Sequence, residues 1–307
     1  MADNSKIEWT DSTLTPIRAR NRATGRVGHF CEHASPGCIN CYSEAFNRRG
    51  IGAGVAFQRQ NRDQVELFLD EKMLMQPLRW KRPRRIFWGS MTDLFADFVT
   101  DEWLDRIFAV AALTPQHTHL FLTKRTERMR EYVAKSSRPN LIANSIDRSP
   151  ALSGAAILTG AYDKLDEIDT WPLPNVWLGC SVEDQQRADE RREPLSALAA
   201  AGWRTFVSYE PALGPVDWSG WEFLSQLISG GESGPKARPS HPDWHRGARD
   251  FCLWAGVAYF FKQWGNWHPD ALLYTDLQGR NPPPNMRRSK KAAGRLLDGR
   301  EWNEVPA

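Results

Sequence analysis

The chain has 307 residues, 41% of them hydrophobic and 25% charged, with a formal net charge of +3. It is long enough for one α/β domain or two small ones, and too weakly basic for charge alone to argue a nucleic-acid partner. No apolar run approaches the roughly 18 residues of a membrane span, the opening M-A-D-N-S-K-I-E-W-T lacks the apolar centre of a signal peptide, and the few cysteines fit a reducing cytoplasm.

After an expected first strand come Cys31, Cys38 and Cys41, spaced C-x6-C-x2-C. The Ser35-Pro36-Gly37 turn would bend this segment so that the three sulfurs face one point. Three ligands leave a position open, as a catalytic metal requires, and a [4Fe–4S] cluster held by three thiolates would expose one iron. With His33 the same segment makes a closed Cys3His zinc site, the structural alternative. Cys180 and Cys252 are isolated and read as buried apolar residues.

Downstream, apolar runs alternate with helical patterns, the signature of βα units and a parallel sheet. A helix is expected over 62–77, a strand over 85–89, a helix over 101–113 with Thr100 as its N-cap, a strand over 119–123 and a helix over 124–135. Residues 136–174 are long and mixed, an insertion able to act as a lid. A strand over 176–180, a helix over 185–201, strands over 205–208 and 227–229, a helix over 241–255 and a strand over 258–261 follow. The tail holds Asn281-Pro282-Pro283-Pro284 and the basic run Arg287-Arg288-Ser289-Lys290-Lys291, which could lie along phosphates or form a solvated terminus. The 14 tryptophans need either a core or flat ligands to cover them.

Six of the strands run directly into polar residues: Ser90-Met91-Thr92-Asp93, Thr123-Lys124-Arg125, Ser181-Val182-Glu183-Asp184, Ser208-Tyr209-Glu210-Pro211, Gly230-Gly231-Glu232-Ser233-Gly234 and Lys262-Gln263-Trp264-Gly265. Parallel α/β folds build active sites at the carboxyl ends of several strands, so these clusters are expected to line one bowl. Any one of them alone reads equally well as a solvated turn or helix cap.

The phrases I-E-W-T-D-S-T, S-P-G-C-I-N-C-Y, W-G-S-M-T-D-L-F, L-T-K-R, V-W-L-G-C-S-V-E-D-Q, S-Y-E-P-A-L-G-P-V-D, G-G-E-S-G-P-K-A-R-P and F-F-K-Q-W-G together resemble a family common in phage and prophage genomes. That family, catalogued mainly as of unknown function, is similar to the radical SAM enzymes. The resemblance runs from about residue 6 to 268. It implies a partial (β/α)6 TIM-like barrel of the radical SAM type over 1–268, with the lid-like insertion, and a C-terminal extension over 269–307. It also implies a [4Fe–4S] cluster on Cys31, Cys38 and Cys41, and S-adenosyl-L-methionine cleaved to a 5′-deoxyadenosyl radical. Most radical SAM enzymes show C-x3-C-x2-C with an aromatic residue before the last cysteine; here the first gap is six and Asn40 takes that place.

By position, Ser90, Thr92 and Asp93 would take the methionine amino group; by chemical type, Lys124 would take its carboxylate, and Ser181 with Glu183 the ribose. Glu210, Lys262 and Glu232 would be catalytic, with Glu210 and Lys262 alternatively a buried ion pair. Arg238, Gln263 and Trp264 would face the substrate, Trp264 and Trp267 by stacking on a base or else as core rings. The expected substrate is a pyrimidine base, modified or rearranged, in phage DNA or a nucleotide, and the expected partners include an electron donor such as a flavodoxin, with the protein a monomer and not on a membrane. The alternatives are radical modification of a peptide or small metabolite, and a non-catalytic zinc or iron–sulfur protein that binds nucleic acid.

Overall fold

The structure, a computed structural model, describes residues 2–3, 5, 7–159, 171–267 and 287–306. Part of the expected lid, 160–170, and the proline run at 282–284 lie outside the described residues. The described strands are β1 (Ala2–Asp3), β2 (Ser12–Leu14), β3 (Ile17–Asn21), β4 (Val27–Gly28), β5 (Val65–Leu69), β6 (Arg85–Trp88), β7 (Thr118–Thr123), β8 (Val176–Ser181), β9 (Arg204–Tyr209), β10 (Gln226–Gly230) and β11 (Ala258–Gln263).

The main sheet has the order β1-β2-β6-β7-β8-β9-β10-β11. The short β1 runs antiparallel to β2, while the β2–β6, β6–β7, β9–β10 and β10–β11 pairs are parallel. Helices lie between successive strands, at Asp101–Ala112, Thr126–Val133, Gln185–Ala200 and Pro242–Ala255. This is a mixed α/β fold with a parallel sheet flanked by helices, consistent with a partial TIM-like α/β fold. A second sheet, ordered β4-β3-β5, is antiparallel.

The chain divides into two compact units: Met1–His33 with Ser43–Leu178 and Ala200–Arg204, and Ala34–Tyr42 with Gly179–Ala199 and Thr205–Ala307. In the first, Leu14, Ile86, Trp88, Leu120 and Phe121 from the sheet are buried, as are Leu104, Ile107 and Phe108 of the Asp101–Ala112 helix. Thr100 caps that helix as expected, its Oγ1 accepting from the Trp103 N–H at 3.3 Å. The small sheet packs its own core of Ala19, Phe30, Ala53, Val55, Phe57 and Val65, against which Cys31 lies.

The helix expected over 62–77 is not formed. A 3-10 turn (Arg59–Gln64) leads into β5, and only Glu71–Leu74 is helical. Val65-Glu66-Leu67-Phe68-Leu69 pairs antiparallel along the whole of β3, and this non-local partner outweighs the local helical pattern. Within the expected lid, Arg138–Asp147 and Pro150–Thr159 are helices. Arg138, fully buried, holds the first of them to Asp105 at 2.7 Å and to Asp101 at 2.9 Å.

In the second unit Phe206, Val207, Tyr209, Leu227, Ile228, Tyr259 and Phe261 are buried along β9–β11. The described tail is not a free terminus: Phe261 N–H donates to Trp302 O, Glu304 N–H to Tyr259 O, and Phe260 bridges to Asn303, so this segment covers the edge of β11. Ten tryptophans, among them Trp88, Trp221 and Trp264, are buried, whereas Trp254 is 75% exposed. The core, and not a flat ligand, absorbs these rings.

Candidate functional site

In the first unit the ends of β6 and β7 meet at Asp93. Its Oδ1 accepts from Thr123 Oγ1 at 2.7 Å, and its Oδ2 accepts from the Lys124 N–H at 3.1 Å and Arg125 Nη1 at 2.8 Å. The Asp93 N–H is directed at Cys31 Sγ, 3.4 Å away. Thr92 Oγ1 donates to Phe30 O at 2.8 Å, and Arg125 Nη2 to Glu32 O at 3.1 Å, so both sides of Cys31 are fastened to the strand ends. Ser90 Oγ lies 3.4 Å from Thr15 Oγ1, which accepts from the Met91 N–H. His33 Nε2 faces Glu44 at 2.7 Å, and Glu44 Oε1 accepts from the Phe57 N–H. That contact occupies Nε2 and leaves Nδ1 as the ring nitrogen through which His33 could bind a metal.

In the second unit Cys38 sits at the end of a 3-10 turn, Pro36–Cys38. Its Sγ accepts from the Ala34 N–H at 3.4 Å and lies 3.9 Å from Ser35 Oγ. Ser35 Oγ donates to Glu183 Oε1 at 2.6 Å, and Glu183 Oε2 accepts from Arg191 Nη1 at 2.8 Å. The same Arg191 nitrogen donates to Ser181 O at 2.6 Å. Glu232 receives Asn40 Nδ2 at 3.0 Å, the Arg238 N–H at 2.7 Å, Arg238 Nε at 2.9 Å and Arg238 Nη2 at 2.5 Å. Burial opposes ionisation of Glu232, but the Arg238 guanidinium and N–H and the Asn40 amide outweigh it and hold the carboxyl below its usual range.

Lys262 Nζ reaches both oxygens of Glu210 at 2.8 Å, in a pair 13% and 18% exposed. Gln263 Nε2 donates to Glu210 Oε1 at 3.1 Å and to Gly231 O at 2.9 Å, while Gln263 Oε1 accepts from Ser233 Oγ at 3.1 Å. Both ends of the Gln263 amide are therefore engaged inside the protein. Trp264 is likewise a core ring: it is 3% exposed, its Nε1 donates to Leu296 O, and it packs edge-on against His245 and Phe261. Trp267 is buried too, with Nε1 donating to Ala237 O.

The sequence singled out Asp93, Glu183, Glu210, Glu232, Arg238 and Lys262, and offered the Glu210–Lys262 ion pair, but gave no such role to Arg191, Ser35 or Asn40. Ser35 and Asn40 lie in the cysteine motif, but their partners are 148 and 192 residues away along the chain.

None of the five cysteines is in a disulfide. Cys180 and Cys252 are buried, and burial pushes the Cys252 thiol far above its usual range, so neither is a ready ligand. Among the described residues no group of three or more His, Cys, Asp or Glu side chains is drawn together as a metal-ion site. Cys31 belongs to the first unit and Cys38 and Cys41 to the second. The chemistry of the set fits a thiolate-held cluster all the same: three soft sulfurs, two of them already accepting backbone N–H bonds of the kind that tune iron–sulfur centres.

The chain is an α/β protein in which polar residues follow the strands of a largely parallel sheet. Residues 4–306 match one family, described as a protein of unknown function, DUF5131, and the chain belongs to it. No curated protein and no solved structure matches the chain.

Proposed function

We propose that this protein is a radical SAM enzyme that holds a [4Fe–4S] cluster on Cys31, Cys38 and Cys41. The observation that carries the reading is the chemistry around these thiols: they fall within residues 31–41, and the Asp93 and Ala34 N–H groups are aimed at two of the three sulfurs. Such bonds stabilise thiolate and lower its repulsion with neighbouring ligands. Cys31, Cys38 and Cys41 would hold the cluster, which would supply the electron for reductive cleavage of the sulfonium C–S bond of S-adenosyl-L-methionine, giving methionine and a hydrogen-abstracting 5′-deoxyadenosyl radical.

The chain's own residues have narrower tasks. Asp93 keeps the ends of β6 and β7 and the Cys31 segment in one arrangement, while the Ser90 hydroxyl takes the methionine amino group and the Lys124 ammonium the carboxylate. In the second unit the Glu210–Lys262 pair is the acid–base candidate, and a proton moves there only when substrate displaces one partner. The substrate carried forward is a pyrimidine base in DNA or a nucleotide; its support is the resemblance to a phage family, together with the fit of radical chemistry to an unactivated methyl carbon.

The test is anaerobic reconstitution with iron and sulfide, reduction, and measurement of 5′-deoxyadenosine from S-adenosyl-L-methionine by wild type and Cys38→Ala. Production by wild type alone is expected. Stoichiometric zinc with no cleavage would overturn the reading. Mass transfer to nucleotide, DNA or peptide then sorts the substrate class.

A further inference from the structure

We propose that Glu183 and Glu232 are positioning residues for the cysteine loop Ala34–Tyr42, and not groups that face cofactor or substrate. The two are built alike. Each carboxylate is buried, Glu183 at 0% and Glu232 at 6% exposure. Each is neutralised by one arginine of its own neighbourhood, Arg191 at 2.8 Å and Arg238 at 2.5 Å. And each spends an oxygen on one side chain of the loop: Ser35, three residues before Cys38, or Asn40, directly before Cys41.

The physical need is clear from the loop itself. Between Ala34 and Tyr42 the only regular element is the 3-10 turn Pro36–Cys38, too short to fix two sulfurs by backbone bonding. Side-chain fasteners supply what secondary structure does not. Arg238 Nη2 adds a bond to Pro36 O at 3.1 Å, and Asn40 Nδ2 a second one to Lys236 O at 2.9 Å, so residues 36 to 40 are tied to the 232–238 loop at both ends. The room behind Glu232 is also fixed: a Cβ on Gly265 would lie 2.0 Å from Glu232 O, and one on Gly231 2.3 Å from Trp264 O. The main chain at Glu232 is therefore closely packed by its neighbours.

The inference rests on the reading that Cys38 and Cys41 are ligands, but its test needs no cluster. The metal-free, reduced full chain is treated with iodoacetamide, and the alkylation rate of each cysteine is followed by mass spectrometry. Ser35→Ala is expected to raise the rate at Cys38, and Asn40→Ala the rate at Cys41, each by about five- to tenfold, the worth of one hydrogen bond, with Cys31 unchanged as the internal reference. Ser35→Thr, which keeps a hydroxyl, is expected to restore the slow rate. Both alanine variants leave the carboxylate–arginine pairs intact, so the chain folds. Equal rates in wild type and both alanine variants would overturn the clamp, as would failure of Ser35→Thr to restore the slow rate. Glu232→Gln, reconstituted, is expected to keep its iron content and to change the visible absorption of the cluster. If wild type never cleaves S-adenosyl-L-methionine the enzyme reading falls, and the alkylation rates still decide the clamp.

Discussion

The two units treat their sulfurs differently. In the first, Cys31 follows Phe30, a ring in the core of the small sheet; the Asp93 N–H addresses its sulfur, and the Thr92 and Arg125 side chains bond the main chain on either side of it. In the second, Cys38 and Cys41 lie on an irregular loop, and two carboxylates from distant parts of the chain reach it through Ser35 and Asn40. The difference shows what a ligand-bearing segment requires. The packed segment is gripped by its main chain, whereas the irregular loop is also held through its own side chains, each on a carboxylate with its own counter-charge.

The largest way to sharpen that contrast is to remove the counter-charge. Arg191→Ala leaves Glu183, wholly buried, without a cation, and is expected to cost about 3–5 kcal/mol in urea unfolding. Arg125→Ala in the first unit is expected to cost less, about 1–3 kcal/mol, because Asp93 keeps Thr123 and the Lys124 N–H and both partners are partly solvated. Equal losses would mean that burial is not what separates the two acids.

Next in size are two glycines held at positive φ. Gly265 has φ +81, and its missing Cβ would lie 2.0 Å from Glu232 O, a backbone atom. Gly265→Ala is therefore expected to lose about 3 kcal/mol, from conformational strain and overpacking together. Gly256, at φ +71 with nothing within 4 Å, carries the strain alone. Gly256→Ala is expected to lose about 1–2 kcal/mol by the same measurement. A gap that closed between the two would place the cost in the dihedral and not in the approach to Glu232.

Acid should separate the units again. Burial, reinforced by neighbouring charge, lowers His119 to about 3 and His245 to about 3, and burial followed by Arg18 lowers His29 to about 4. Each ring is neutral in the folded protein while the unfolded chain binds its proton near pH 6.5. The stability these rings contribute is thus present above about pH 6.5 and is lost as pH falls toward the folded values, at roughly 1.4 kcal/mol per pH unit for each. His29 and His119 lie in the first unit and His245 in the second. Residue-resolved hydrogen exchange at pH 7 and pH 5 is expected to show the greater loss of protection in β6–β7 than in β10–β11. The reverse order would contradict the assignment of these rings as neutral.

Much of the fold could be read before the structure. The runs at 119–123 and 258–261 are apolar, β-branched or aromatic, and bounded by polar residues, so period and composition agree on a strand. Over 62–77 the two disagreed: a helical pattern of apolar residues ran through Val65–Leu69, and only the partner β3, some 45 residues earlier, decides for a strand. The candidate site divides in the same way. Asp93, Thr123 and Lys124 were visible because adjacent strands of a parallel sheet place their ends side by side. Ser35–Glu183 and Asn40–Glu232 were not, since nothing local in a serine before Pro-Gly or an asparagine before cysteine announces a carboxylate far along the chain. Gln263 and Trp264 donate to the carbonyls of Gly231 and Leu296, contacts that no local sequence pattern displays.

The smallest expected effect concerns the caps of two corresponding helices. Thr100 Oγ1 accepts from the Trp103 N–H at 3.3 Å, with Asp101 and Glu102 complementing the first turn, whereas the Pro242–Ala255 helix is capped by a His241 ring nitrogen accepting from the Asp243 N–H at 3.1 Å. A threonine oxygen on a short side chain is a good cap, and Thr100→Ala is expected to cost about 1 kcal/mol, with Thr100→Ser recovering most of it. The imidazole accepts with one ring nitrogen only while that nitrogen carries no proton, and Pro242 at the first helical position already preorganises the start of the helix. His241→Ala is therefore expected to cost less than Thr100→Ala when both are compared by thermal midpoint. If Thr100→Ser were no better than Thr100→Ala, the hydroxyl would not be what begins the helix, and the acidic first turn acting on the helix dipole would have to carry that task instead.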